Sequence, residues 1–155
     1  MPPIAPPPLP NKKKIKKGIF VTITGIPGLE RLYRQAKELG LKLYSNDTEA
    51  VPGSIRALPW IIPNKNIVFQ FARSGWSSVW ISMISGTPLV VPDFDSKDDP
   101  EIYFNNQAIE KLELKLLRPF GEPLYYIRDI LSSINDLKKE GVTPGKLEKA
   151  IKAKE

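Results

Sequence analysis

Ile67-Val68-Phe69-Gln70-Phe71-Ala72, then Arg73-Ser74-Gly75-Trp76-Ser77-Ser78, then Val79-Trp80-Ile81-Ser82-Met83-Ile84-Ser85-Gly86, then Pro88-Leu89-Val90-Val91-Pro92: this stretch decides the fold. The first block is apolar on both alternating faces, as expected of a strand buried on both sides. The second is a tight polar connection. In the third, Val79, Trp80, Met83 and Ile84 make a mostly apolar helix that Gly86 stops. The fourth is a strand closed by Pro92. Strand, helix and strand within 26 residues is a parallel crossover unit.

The same alternation continues in both directions. Upstream, Ile19 to Thr24 reads as a buried strand broken by Gly25-Ile26-Pro27-Gly28. Leu29, Leu32, Tyr33, Ala36 and Leu39 recur at helical spacing up to Gly40. Leu41 to Tyr44 is a short second strand, and Ile55 to Leu58 a weak third ending at Pro59-Trp60. Downstream, an acidic loop from Asp93 to Pro100 leads into a helix beginning near Glu101, and a last short strand is expected over 114–117. Ile127, Ile130, Leu131, Ile134 and Leu137 form an amphipathic helix, and Thr143-Pro144 opens a lysine-rich one. The predicted fold is therefore α/β: a Rossmann-like open, mostly parallel sheet with helices on both faces. Ligands of such sheets lie beyond the carboxyl ends of the strands, so the residues just after each strand carry the functional information.

With 155 residues the chain has room for one domain with a full core. Residues 1–17 stand apart as a Pro/Lys-rich linker or arm, with 18–155 the folded domain. Six of the first ten residues are proline, and Lys12, Lys13, Lys14, Lys16 and Lys17 follow. The lysine run is read as a solvated linker, with attraction to anionic lipid headgroups or nucleic acid as the sharper alternative. The aromatic residues fall in the strands and helices and are not interleaved with the lysines, which argues against a nucleic-acid stacking surface. No apolar stretch is long enough to span a bilayer, and the first residues lack a signal-peptide core. The expectation is a cytoplasmic protein, peripheral at a membrane if the lysine run engages one. Absence of cysteine excludes disulfides, and absence of histidine removes the commonest general base and metal ligand. No metal site or cofactor is expected.

Two strand-to-helix turns suit an anion. Glycines in Gly25-Ile26-Pro27-Gly28 let backbone amides approach a ligand ahead of a helix N-terminus, although most turns of this kind simply connect. The turn Arg73 to Ser78 offers a guanidinium, three hydroxyls and a glycine, against which stands the plain reading of Ser77 or Ser78 as a helix cap.

Spacing across a longer stretch adds to this. Trp60-Ile-Ile-Pro63, Arg73-Ser-Gly75-Trp76-Ser-Ser78, Gly86-Thr-Pro88, Pro92, Asp98-Asp99-Pro100-Glu101 and Asn105 follow in order. Together they resemble the donor-binding signature of GT-B glycosyltransferases, a group that includes UDP-glucuronosyltransferases, plant glucosyltransferases and the bacterial enzyme that adds GlcNAc to the lipid-linked peptidoglycan precursor. Gly75 and Gly86 are eleven positions apart, as in those families. The resemblance covers about residues 18–117.

What the resemblance implies is a nucleotide-sugar site, most simply for a UDP-sugar. Trp60 would flank the base, and Arg73 would meet the diphosphate in place of the family's histidine. Ser74, Gly75, Ser77 and Ser78 would form the phosphate turn, with Gly25 and Ile26 on its opposite side. Glu101 would stand near the sugar hydroxyls, followed by Asn105. Trp76 is expected as a core wedge, and Trp80 and Met83 as core. Three features depart from the pattern. Ile81 stands where the family often has a ribose-binding glutamate, the interval from Glu101 to Asn105 is one residue longer, and Trp60 to Pro63 is one longer than W-x-P.

The chain resembles only the C-terminal domain of such enzymes, with its first residues resembling the interdomain linker. The implied function is donor binding for hexosyl transfer to an acceptor held by an N-terminal domain or a partner chain. The catalytic base is then expected outside this chain, and the isolated chain is expected to be inactive. Alternatives are a non-catalytic nucleotide-sugar-binding subunit, a sugar-nucleotide epimerase-like domain and a basic nucleic-acid-binding domain.

Overall fold

A computed structural model describes residues 12–22, 29–92, 96–111, 117–120 and 131. Six strands form one sheet: β1 (Gly18–Val21), β2 (Lys42–Ser45), β3 (Ile55–Arg56), β4 (Ile67–Phe71), β5 (Leu89–Pro92) and β6 (Leu117–Phe120). The helices are α1 (Leu29–Glu38), α2 (Trp76–Ser85) and α3 (Pro100–Lys111), with a single 3-10 turn over Pro59–Ile61.

The strands lie in the order β3-β2-β1-β4-β5-β6, and every adjacent pair is parallel. The chain winds outward from β1 in one direction and from β4 in the other. Right-handed crossovers must then put α1 on one face and α2 with α3 on the other. The packing agrees. Leu29, Leu32 and Ala36 of α1 bury against Ile19, Val21, Leu43, Phe69, Phe71 and Val90. Val79 and Met83 of α2 and Ile109 of α3 bury against Leu89 and Val91 on the opposite side. The expected Rossmann-like α/β sheet with helices on both faces is what forms.

Local sequence explains most boundaries. Gly40 and Gly86 end α1 and α2 at φ of 69° and 68°, the left-handed conformation that glycine adopts at least cost. In the centre of the α2 face the buried Gln70 accepts a hydrogen bond from the Ser82 hydroxyl at 3.1 Å, tying α2 to β4. The expected third strand shrinks to two residues because Pro59 starts the 3-10 turn that carries Ile61 and Ile62 inward against Phe20 and Tyr44. The last strand begins at Leu117, where the 114–117 expectation ended, with its register fixed by Leu89 opposite Leu117. The expected helices after residue 126 lie outside the described residues, apart from Leu131, which packs on the α1 face.

The lysine run is docked rather than trailing over residues 12–17. The Asn64 and Asn66 carboxamides donate to the carbonyls of Lys13 and Ile15 at 2.8 and 2.7 Å, and the Tyr44 hydroxyl donates to that of Lys16 at 2.8 Å. Ile15 packs beside Phe20, Ile61 and Ile67, while the five lysines stay exposed. Asn64 and Asn66 immediately precede β4, so this strap crosses the amino-terminal end of the sheet. No helix among the described residues is long and apolar enough to cross a membrane.

Candidate functional site

Winding reverses between β1 and β4, so the crevice of this sheet opens beyond their carboxyl ends. The two turns singled out in the sequence are the ones that leave these strands. Gly25 and Ile26, in the turn after β1, lie outside the described residues. The turn after β4 is described throughout.

Gly75 is the N-cap of α2, with φ −60° and ψ 145°, and Trp76, Ser77 and Ser78 fill the first turn. Among the described residues no side chain caps this end, and the first turn carries no carboxylate of its own. The first-turn amides of a helix have no partner within the helix, and the peptide dipoles sum to a partial positive charge there. Ser77 is exposed and Ser78 half-buried, so both hydroxyls stand at the same end. Gly75 has an ordinary backbone conformation, and a Cβ built on it would meet no atom within 4 Å. Neither backbone nor packing calls for glycine here. What the glycine does is leave the helix end open to close approach.

The Ser74 hydroxyl is turned away from that opening. Ser74 is fully buried, its Oγ donates to the Ile102 carbonyl at 3.5 Å, and its own carbonyl accepts from Asn105 Nδ2 at 2.9 Å. Asn105 is likewise buried, its carboxamide engaged in holding the turn. α3 therefore clamps the turn from beneath, and both residues act on its shape through their hydrogen bonds.

Arg73 is half-exposed and pairs with Asp99, Nη1 to Oδ2 at 3.3 Å. Asp99 also caps α3, accepting from the Ile102 amide at 3.3 Å. Its placement was legible in part, since aspartate before proline is a helix-start signature, but the link to Arg73 depends on β4 and β5 being neighbours. Glu101, in the first turn of α3, is exposed near this cluster.

Trp60 is 66% exposed on the 3-10 turn between β3 and β4. Its neighbour Ile61 belongs to a cluster against which Ile81 of α2 packs, so the Trp60 turn and α2 share one apolar seam. Ile81 is thus an apolar contact where a ribose-binding carboxylate was the pattern. The structure brings Arg73, Ser74, Asp99, Ile102 and Asn105 into direct contact around the α2 start, with Trp60 carried on the adjoining crossover. Trp76 differs from expectation. As the first residue of α2 it is 45% exposed instead of wedged in the core, with its ring 6.3 Å from that of Trp80. Met83 is buried and Trp80 half-buried against the α2 core, as expected.

The arrangement offers an open helix N-terminus, two hydroxyls and a guanidinium at a crevice mouth, which is suited to an oxyanion such as a diphosphate. The chain matches no protein-family model, and no curated protein sequence is similar to it at a significant level.

Proposed function

We propose that this chain is the nucleotide-sugar-binding domain of a glycosyltransferase of the GT-B type, with a UDP-sugar as its donor. The observation that carries the proposal is the coincidence of two independent features. The glycosyltransferase-like spacing from Trp60 to Asn105 is centred on the turn at Gly75, and the winding of the sheet puts the same turn at its crevice.

In this reading the diphosphate receives hydrogen bonds from the first-turn amides of α2 and from Ser77 and Ser78, while Arg73 supplies charge. Those donors stabilise the negative charge that builds on the departing diphosphate as the sugar leaves. Ser74 and Asn105 hold the turn in shape. Trp60 flanks the base, and Glu101 lies on the sugar side. Trp76 and Phe104, both exposed and near the starts of α2 and α3, support an apolar wall facing an acceptor half. The base that deprotonates the acceptor belongs to that other half, on an N-terminal domain or a partner chain.

Calorimetry with UDP, GDP, TDP, uridine and a short oligonucleotide tests the reading. UDP is expected to bind at micromolar to millimolar concentration and uridine more weakly. Absence of binding by every nucleotide, or tighter binding of the oligonucleotide, would sink it.

A further inference from the structure

A second cavity, of about 500 Å³, lies between the carboxyl-terminal half of α1, the start of β2 and the Pro52–Gly53 connection. α1 runs back along the sheet, so this cavity sits toward the end of the strands opposite the α2 turn. It is unlike that site in chemistry too. Arg34, Lys37 and Lys42 line it, with Leu41 and Leu43 supplying apolar wall, and no carboxylate is among its lining residues that the structure describes. None of these three cations has an ion-pair partner among the described residues.

Tyr33 also lines the cavity, and its hydroxyl is buried with no hydrogen-bond partner among the described residues. A buried unpartnered hydroxyl is costly, so it calls for an explanation. Burial, reinforced by Glu30, pushes this phenol above its ordinary value, which keeps it protonated and able to donate. Unpaired like charges around one cavity repel one another, and an anion within it relieves that repulsion. The Lys42 amide donates to the Lys17 carbonyl at 2.9 Å, so the docked lysine strap adjoins the same rim.

We infer that the cavity lined by Tyr33, Arg34, Lys37 and Lys42 is a second anion site, for a phosphate ester carrying an apolar body. The three cations and the Tyr33 hydroxyl take the phosphoryl oxygens, and the Leu41–Leu43 wall takes the apolar part. The phosphoryl group comes either from a soluble ester or from a lipid headgroup. The inference is independent of the donor-site reading.

The test has a soluble arm, calorimetry with phenyl phosphate, and a lipid arm, flotation with phosphatidylcholine vesicles with and without phosphatidic acid. Both use the full chain. The variants are Arg34→Gln/Lys37→Gln, Tyr33→Phe, Lys12→Gln/Lys14→Gln/Lys16→Gln in the strap, and Arg73→Ala at the α2 turn, each checked for folding by circular dichroism. Expected is binding in at least one arm, and the arm identifies the source. Losing two charge-assisted contacts in the Arg34/Lys37 variant should weaken binding at least about tenfold. Tyr33→Phe should weaken it less, and the strap variant should leave it within about threefold, since those lysines add only screened long-range charge. No binding in either arm overturns the inference. A strap variant as damaging as Arg34/Lys37 means diffuse basic charge and also overturns it. Loss in Arg73→Ala alone would put the phosphate at the α2 turn, ending this inference while leaving the donor-site reading intact.

Discussion

Asp99 is a carboxylate that reaches the guanidinium proposed to meet the diphosphate, so Asp99→Asn is an informative perturbation. The Arg73–Asp99 contact is 3.3 Å, with the arginine side chain 54% exposed and the aspartate 21%. A phosphate oxygen within hydrogen-bonding distance of Arg73 would lie roughly 6 Å from the Asp99 carboxylate. Two unit charges at ~6 Å repel by about 0.7 kcal/mol in water and about 2.8 kcal/mol at an effective dielectric of ~20. The exposure of Arg73 puts the site toward the watery limit, so ~1 kcal/mol is the expected gain, or about fivefold tighter UDP binding. Uridine binding should not change.

Stability should fall slightly. The exposed pair is worth about 0–1 kcal/mol and the charge at the start of α3 about 0.3–1 kcal/mol, while asparagine caps as well as aspartate and keeps the bond to the Ile102 amide. That predicts a melting point lower by only a few degrees, roughly 2–4 °C per kcal/mol for a chain of this size. Calorimetry with UDP and uridine at two salt concentrations is the assay, and the gain should shrink at high salt. UDP affinity that is unchanged or reduced in a folded Asp99→Asn protein would refute the electrostatic reasoning and remove Arg73 from the diphosphate.

Three further outcomes are expected. Arg73→Ala should weaken UDP binding by about 1.5–3 kcal/mol in isothermal calorimetry and leave uridine binding nearly intact; equal losses would make Arg73 structural. Ser82→Ala should lower stability by about 1–3 kcal/mol in urea unfolding, because Gln70 Oε1 is left buried without its donor; no loss would show that Gln70 finds another partner. On the alkaline side, burial raises both Tyr33 and Tyr44 above their ordinary value of 10.0. The folded state therefore holds protons that the unfolded state releases. Stability should be level below pH ~10 and fall as pH rises through and past it. Tyr33→Phe should reduce the steepness of that fall in pH-dependent unfolding, and an unaltered slope would contradict it.

The sheet was legible because its signals are local. Apolar strand runs, helical spacing and the glycines at 40 and 86 each specify their own stretch of backbone, and the alternation then dictates a parallel sheet. Where reading fell short, long-range contacts decide. Ser74 looks like a phosphate ligand in sequence, yet α3 covers its hydroxyl from 28 positions away. Trp76 looks like core because it is large and apolar, but the first residue of α2 lies at the open end of the sheet, where its ring stays part-exposed. The side chains of Asn64 and Asn66 hold backbone carbonyls 51 positions upstream and fasten the lysine strap, a contact that no local pattern announces. The basic cavity had no signal at all, since Arg34, Lys37 and Lys42 are spaced like any solvated surface until α1 packs beside β2.

Titrating UDP into isotope-labelled chain and following the backbone amide resonances tests the central claim most directly. The account predicts saturable shifts that are largest over Arg73–Val79, with smaller ones around Trp60 and Glu101. Shifts centred away from the α2 turn, or no shifts at millimolar UDP, would contradict it.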